Sequence, residues 1–327
     1  MKSGKIFIAL CVLFALVSAA FIGLTVINLT KEKNPQAKVQ KAASATVMNM
    51  DVVYDAPGAS LEKIISNNAK GTDYPEGILE YLKPAYAVNH ELAGVLTIPG
   101  TELCTAVTIG SDNNFYLKRD FYGRYTSDMT STNYGSPFLD YRCSATSLSK
   151  NMIIYGHTTG RDTGIAKQSF RSLRDYKDKE TFIKAPLMKY STLTGEYTYK
   201  ICAVFLTTTM ERDDGGYVFN YIYPDMSDGN MVGYIEQVRQ RMLYETGVSL
   251  EPTDKVLALS TCIYDYGKNV DTRLVIVGRL IHEGESESID PSLVKDNPNY
   301  RRPQVWYDSR KIANPYKDSR SWQPSPN

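Results

Sequence analysis

Two apolar runs late in the chain, residues 256–259 and 274–277, flank a polar stretch containing Tyr264, Asp265, Gly267 and Asn269. Short aliphatic runs bounded by turn-forming residues predict two β-strands joined by a surface loop. Similar runs predict strands over 94–98, 104–109, 137–141, 152–155, 187–190 and 197–207. Pro99-Gly100 and Thr194-Gly195 supply turn signals between neighbours. Helical spacing is sparser. Leu61, Ile64 and Ile65, then Ile78, Leu79 and Leu82 ahead of Pro84, predict two short N-terminal helices. Phe170, Leu173 and Tyr176 predict a short helix mid-chain. Met231, Ile235, Val238 and Met242 predict a longer one, capped by Ser227 or Asp228 and ending near Gly247, in the connection before the last two strands. The expectation is a mostly β fold.

The two ends read differently. Residues 6–29 carry no charge, long enough to cross a hydrocarbon core of about 30 Å. The expected organisation is therefore a cytoplasmic tail at 1–5, a single-pass transmembrane anchor at 6–29 and a polar linker at 30–58. A folded domain at 59–282 follows, and then a polar tail at 283–327 expected to be disordered. The alternative for the N-terminus is a signal peptide cleaved at Ser18-Ala19-Ala20. Lys31, Lys33, Lys38 and Lys41 outnumber Lys2 and Lys5, so the distribution of basic residues does not itself favour an outside C-terminus. In the tail, Trp306 and Trp322 offer a second reading, docking on the domain or on the cell wall.

A hydrophobic content of 43% permits a packed core, and a formal net charge of +1 removes any general electrostatic case for nucleic acid. Five cysteines, with no Cys-x-x-Cys pair or zinc-type His/Cys cluster, argue against a structural metal. Cys104, Cys143 and Cys202 fall in strand-like segments and are expected as unbridged core thiols, although a Cys104–Cys143 bridge stays open. Asp213-Asp214 is expected to be a solvated pair rather than a cation site.

Cys262 ends the first of the late strands and Arg273 opens the second. A thiol at a strand end with a fixed cation one strand away suits a nucleophile beside an oxyanion partner. The base must come from one of three histidines, and His157 alone follows a strand-like run that ends in Gly156. Each residue has a plainer reading: Cys262 as core, His157 as surface polar, Arg273 as the ion-pair partner of Asp271 or Asp265. Arg279 lies on the same strand face as Arg273 but farther from the loop.

Leu259-Ser260-Thr261-Cys262, Ile154-Tyr155-Gly156-His157 and Thr272-Arg273-Leu274-Val275 resemble the three signature segments of sortases, the cysteine transpeptidases of Gram-positive surfaces. Ile98-Pro99-Gly100-Thr101, Asn113 to Leu117, Asp120-Phe121-Tyr122-Gly123 and Phe138 to Arg142 resemble further marks of class B. The resemblance covers residues 60 to 282, in order. It implies a closed eight-stranded, mostly antiparallel barrel with N-terminal helices. It also implies a reaction in which Cys262 attacks the Thr carbonyl of an Asn-Pro-x-Thr-type sorting signal, forms a thioester, and yields the acyl group to an amine. His157 would move protons and Arg273 stabilise charge. Asn113, Leu117, Tyr221, Ile222, Ser260 and Thr261 match substrate-groove positions, and Ile263 stands where the family can carry an acid. The implied partners are surface proteins bearing a C-terminal sorting signal and the amine of a lipid-linked peptidoglycan precursor or pilin, with no cofactor. The rival readings are a cysteine hydrolase using water as acceptor, and a non-catalytic surface binding module.

Overall fold

In the computed structural model, residues 71–125, 127, 135–158 and 170–325 are described. The strands are β1 (Leu92–Thr97), β2 (Cys104–Ile109), β3 (Phe138–Leu139), β4 (Asn151–Gly156), β5 (Leu187–Thr192), β6 (Glu196–Thr208), β7 (Tyr244–Glu245), β8 (Val256–Ile263), β9 (Thr272–Leu280) and β10 (Lys295–Asp296). Eight of them close into a barrel in the order β1-β2-β3-β4-β8-β9-β6-β5, with β5 returning to β1. The helices are α1 (Lys83–Val88), α2 (Lys179–Lys184), α3 (Asp228–Arg241) and α4 (Gln304–Arg310).

Most barrel contacts are antiparallel, but β4 and β8 run parallel, with Gly156 level with Thr261. Their C-terminal ends therefore emerge at the same end of the barrel. β9 is antiparallel to β8 and begins at that end. This pairing explains why β8 reads as a continuous apolar run rather than an alternating one: Val256, Leu257, Ala258 and Leu259 are all buried. Gly156 is demanded by packing. A Cβ there would lie 2.5 Å from the Phe170 ring, so any larger residue would push that buried ring away.

α3 sits in the long connection between β6 and β8, as its spacing predicts, with Ser227 as N-cap accepting from the Asn230 N–H at 3.2 Å. It stops at Arg241, short of Gly247, which instead takes a left-handed φ of 71° beyond β7. The segment around Phe170 is a 3-10 helix, Phe170–Lys177, with Phe170, Leu173 and Tyr176 buried.

Two expectations are corrected at the ends. The helix expected before Pro84 is only a 3-10 turn, Glu80–Leu82, and the α-helix starts there instead, with Pro84 in its first turn. A proline lacks the N–H that the first turn leaves unpaired in any case, so the residue taken as a stop is a start. The tail expected to be disordered is packed. β10 pairs with β7, α4 buries Tyr307, and Trp322 lies edge-on to Phe219, with centroids 5.5 Å apart. Its few apolar residues sit where the barrel already offers aromatic partners, so composition understated the surface it covers. The boundary at 282 therefore does not end the packed unit.

The single-pass membrane localisation is also withdrawn. Among the described residues, no helix is long and apolar enough to cross a membrane. The proposed tail, anchor and linker at 1–58, the helix expected at Leu61 to Ile65, and Cys11 lie outside the described residues. Cys104, Cys143, Cys202 and Cys262 form no disulfide among the described residues. Burial pushes Cys143 up to about 11 and Cys202 up to about 12, as expected for core thiols.

Candidate active site

The shared end of β4, β8 and β9 opens into a cleft of about 290 Å³. Asn113, Leu117, His157, Tyr221, Ile222, Ser260, Thr261, Cys262 and Arg273 all line it, so the nine positions named from sequence come together. Phe138, Tyr155, Gly156 and Thr209 complete the wall. Burial of these aromatic faces gives the cleft an apolar lining with a few polar groups, the usual make-up of a peptide-sized site.

Cys262 and Arg273 are direct partners across β8 and β9, so their side chains leave the sheet on the same face. His157 follows Gly156, the last residue of β4, and is level with Cys262 through the parallel register. The next residue adds a tie: Thr158 Oγ1 donates to the Cys262 carbonyl at 2.7 Å. His157 Nε2 lies 2.7 Å from the Leu117 carbonyl. A carbonyl only accepts, so Nε2 carries the proton in the neutral ring. Gly135 closes over this imidazole in a left-handed conformation, φ 71°, where a Cβ would lie 2.5 Å from His157 Cδ2.

Burial raises the Cys262 thiol above its ordinary value; Arg273 pulls it down and Asp271 pushes it up. Burial lowers His157, the Leu117 carbonyl opposes that, and the Arg273 charge lowers it further. The resting pair therefore favours neutral thiol and neutral imidazole. Burial also disfavours charge on Arg273, but Cys262, Tyr221 and Asp271 outweigh it and hold the guanidinium firmly charged.

Asp271, which sequence reasoning treated only as a competing salt-bridge partner, grips Arg273 with both carboxylate oxygens, Nη2 to Oδ2 at 3.2 Å and Nη1 to Oδ1 closer. Thr209 Oγ1 donates to the same carboxylate, and the Asp271 N–H donates to Asp213 Oδ2 at 3.0 Å. The signal was its place two residues before Arg273, the same-face spacing of extended chain. Asp265, the other candidate, pairs with Lys177 at 2.7 Å. Arg279 is buried and bonded to Glu285 at 2.6 and 2.7 Å, a structural role that sets it apart from Arg273.

Several groove residues are engaged with each other. The hydroxyls of Tyr221 and Ser260 lie 2.8 Å apart, and burial pushes the Tyr221 phenol up to about 12. Thr261 Oγ1 donates to the Gly156 carbonyl at 2.6 Å. Asn113 donates to Asp140 Oδ2 at 2.9 Å and accepts from the Tyr141 N–H at 3.1 Å. Asp140 also takes Tyr155 and Arg142, and Arg142 reaches the Ile222 carbonyl at 2.6 Å. Leu117 keeps its side chain on the rim. The cleft thus has a braced polar wall, an exposed rim and a thiol–guanidinium pair at its floor. That set can form a covalent acyl bond and stabilise an oxyanion. Among the described residues no group of His, Cys, Asp or Glu could hold a metal ion.

No family model matches the chain. Sortase B of Listeria monocytogenes is 29% identical over 235 residues, 71% of this chain and 85% of that protein. A solved sortase B from Listeria monocytogenes is 30% identical, covering 59% of this chain and 96% of that one, with a TM-score of 0.47. A solved Staphylococcus aureus sortase B-substrate complex shares the fold, with a TM-score of 0.53 at 23% identity, over 77% of this chain and 98% of that one. The closed eight-stranded barrel, with 29% identity over 85% of the Listeria protein and 26% identity over 77% of the sortase B of Staphylococcus aureus, places the chain among the class B sortases, the cysteine transpeptidases.

Proposed function

We propose that this sortase cleaves an Asn-Pro-x-Thr-type sorting signal after the Thr and passes the acyl group to an amine of a lipid-linked peptidoglycan precursor or a pilin. The observation that carries the reading is the direct pairing of Cys262 with Arg273 at the mouth of β8 and β9, with His157 level beside them. The Cys262 thiolate attacks the Thr carbonyl carbon, and the carbonyl electrons become an oxyanion facing the Arg273 guanidinium. The C–N bond breaks, the His157 imidazolium protonates the departing amine, and a thioester remains. An incoming amine attacks the thioester, His157 takes its proton, and the Cys262 sulfur leaves. Asn113, Leu117, Tyr221, Ile222, Ser260 and Thr261 form the groove for the signal. Support for a peptide in that groove comes from the apolar lining and from the Staphylococcus aureus sortase B-substrate complex.

The test is incubation of the purified chain with Asn-Pro-x-Thr and Leu-Pro-x-Thr peptides, with and without candidate amines, read by mass spectrometry. Cleavage after Thr, a covalent adduct on Cys262 and an amine-dependent product are expected. Equal behaviour of wild type and Cys262→Ala on every peptide would refute the reading. Cleavage with no amine product at any concentration would favour the hydrolase instead.

A further inference from the structure

The C-terminal segment 321–325 runs alongside residues 216–220, the stretch that leads into the cleft wall, and joins it by an isolated parallel bridge between Trp322 and Phe219. The Trp322 N–H donates to the Val218 carbonyl at 2.9 Å, and the Asn220 N–H donates to the Trp322 carbonyl at 3.0 Å. Ser321 Oγ accepts from the Val218 N–H at 2.9 Å. On the far side the Asn230 amide of α3 pairs with Ser325 in both directions, 2.8 and 3.0 Å. The Trp322 indole fills the angle between Phe219 and Tyr234, with centroids at 5.5 and 6.2 Å. It also presses on α3, where a Cβ on Gly233 would lie 2.3 Å from Trp322 Nε1. One turn of chain later, Tyr221 and Ile222 line the cleft, and Phe219 packs against Tyr221 at 6.0 Å.

We propose that residues 321–325 are a built-in strap whose work is to set substrate affinity, by fixing the Tyr221–Ile222 wall through Phe219 and the backbone of 216–220. The physical basis is backbone pairing of an irregular stretch, 216–220, that belongs to no strand among the described residues. Val218 and Asn220 have these backbone hydrogen bonds only through the strap, and an unpaired backbone group in a partly buried place is costly. Trp322 acts as a positioning residue: it touches neither Cys262 nor the space where substrate would lie. The inference rests on the reading that the cleft takes the sorting peptide.

The experiment compares the full chain with a chain lacking residues 319–327, with Trp322→Ala and with Trp322→Phe. Hydrogen–deuterium exchange over 217–223, without substrate, is expected to quicken about tenfold on truncation and in Trp322→Ala. KM for the Asn-Pro-x-Thr peptide is expected to rise about tenfold with kcat within about twofold. Trp322→Phe should recover most of the affinity, and a synthetic peptide of residues 314–325 should restore the truncated chain. If truncation prevents folding, the full-length Trp322 variants decide by the same readings. Unchanged exchange over 217–223 overturns the strap, as does an unchanged KM. A fall in kcat matching the change in KM marks general loosening of the site and overturns it too. If the wild type turns over neither peptide, the substrate reading fails by itself, while exchange still decides whether the strap braces the wall.

Discussion

Asp271 holds the guanidinium of Arg273 by two contacts, and Arg273 stands directly opposite Cys262. The cation that faces the sulfur is thus aimed by an acid just ahead of its own strand. Asp271 also repels a thiolate at Cys262, so it positions one partner at a cost to the other.

Asp271→Asn keeps the shape and removes the charge. Arg273 is then held by a neutral partner, and kcat/KM is expected to fall about tenfold, equivalent to about 1.4 kcal/mol. Because the Asp271 charge raises the Cys262 thiol, the basic limb of the pH profile should move to lower pH in the same variant. A profile that does not move, with rate unchanged, would place Asp271 outside the mechanism.

In the proposed mechanism the active pair is thiolate with imidazolium, yet burial raises Cys262 from 9.0 and lowers His157 from 6.5. Only a minor fraction then carries both charges, and that fraction is steady between the two ionisations and falls outside them. A plot of kcat/KM against pH is expected to be flat across that interval. Its acid limb should lie below 6.5 and its basic limb above 9.0. Limbs inside that interval would contradict the order of ionisation.

Gly156→Ala tests the packing under His157. The added methyl meets the Phe170 ring at 2.5 Å, and an overpacked core site costs about 1–3 kcal/mol. Thermal unfolding should register that loss, and kcat should fall with it, since His157 is the next residue along the chain.

Glu285→Gln tests the clasp between the tail and the barrel. Arg279 and Lys200 hold the Glu285 carboxyl well below its ordinary 4.5, with burial opposing them. A depressed carboxylate stabilises the fold above its unfolded value and loses that contribution as pH falls through its folded value. The variant should be less stable at neutral pH by about 1 kcal/mol, because solvent screens the exposed part of the ion pair. The gap from wild type should close only in strong acid. A gap that persists there would mean the loss is steric rather than ionic.

The strands that carry the candidate site were legible because β8 and β9 are near-continuous apolar runs, and a residue such as Cys262 where polarity begins lies near a strand end. The whole groove was legible only through resemblance, since nothing local in Asn113 or Tyr221 announces a cleft. Asp271 was visible as a charge but not as a brace, because sequence spacing gives a shared face and not the guanidinium's direction. Pro84 was misread because a proline can open a helix as easily as close one. The tail was misread because Trp322 docks on Phe219 and Tyr234, a surface that exists only after the barrel and α3 have formed.

The parallel β4–β8 pair has a consequence for how the enzyme comes into being. Gly156 and Thr261 meet across more than a hundred intervening residues, so the strand ends that carry His157 and Cys262 come level only when a long loop has closed. Contacts of that span form slowly and reward the chain late. Catalytic competence should therefore appear among the last events of refolding, well after local hairpins such as β5–β6, and a partly folded chain would carry its thiol without the means to use it.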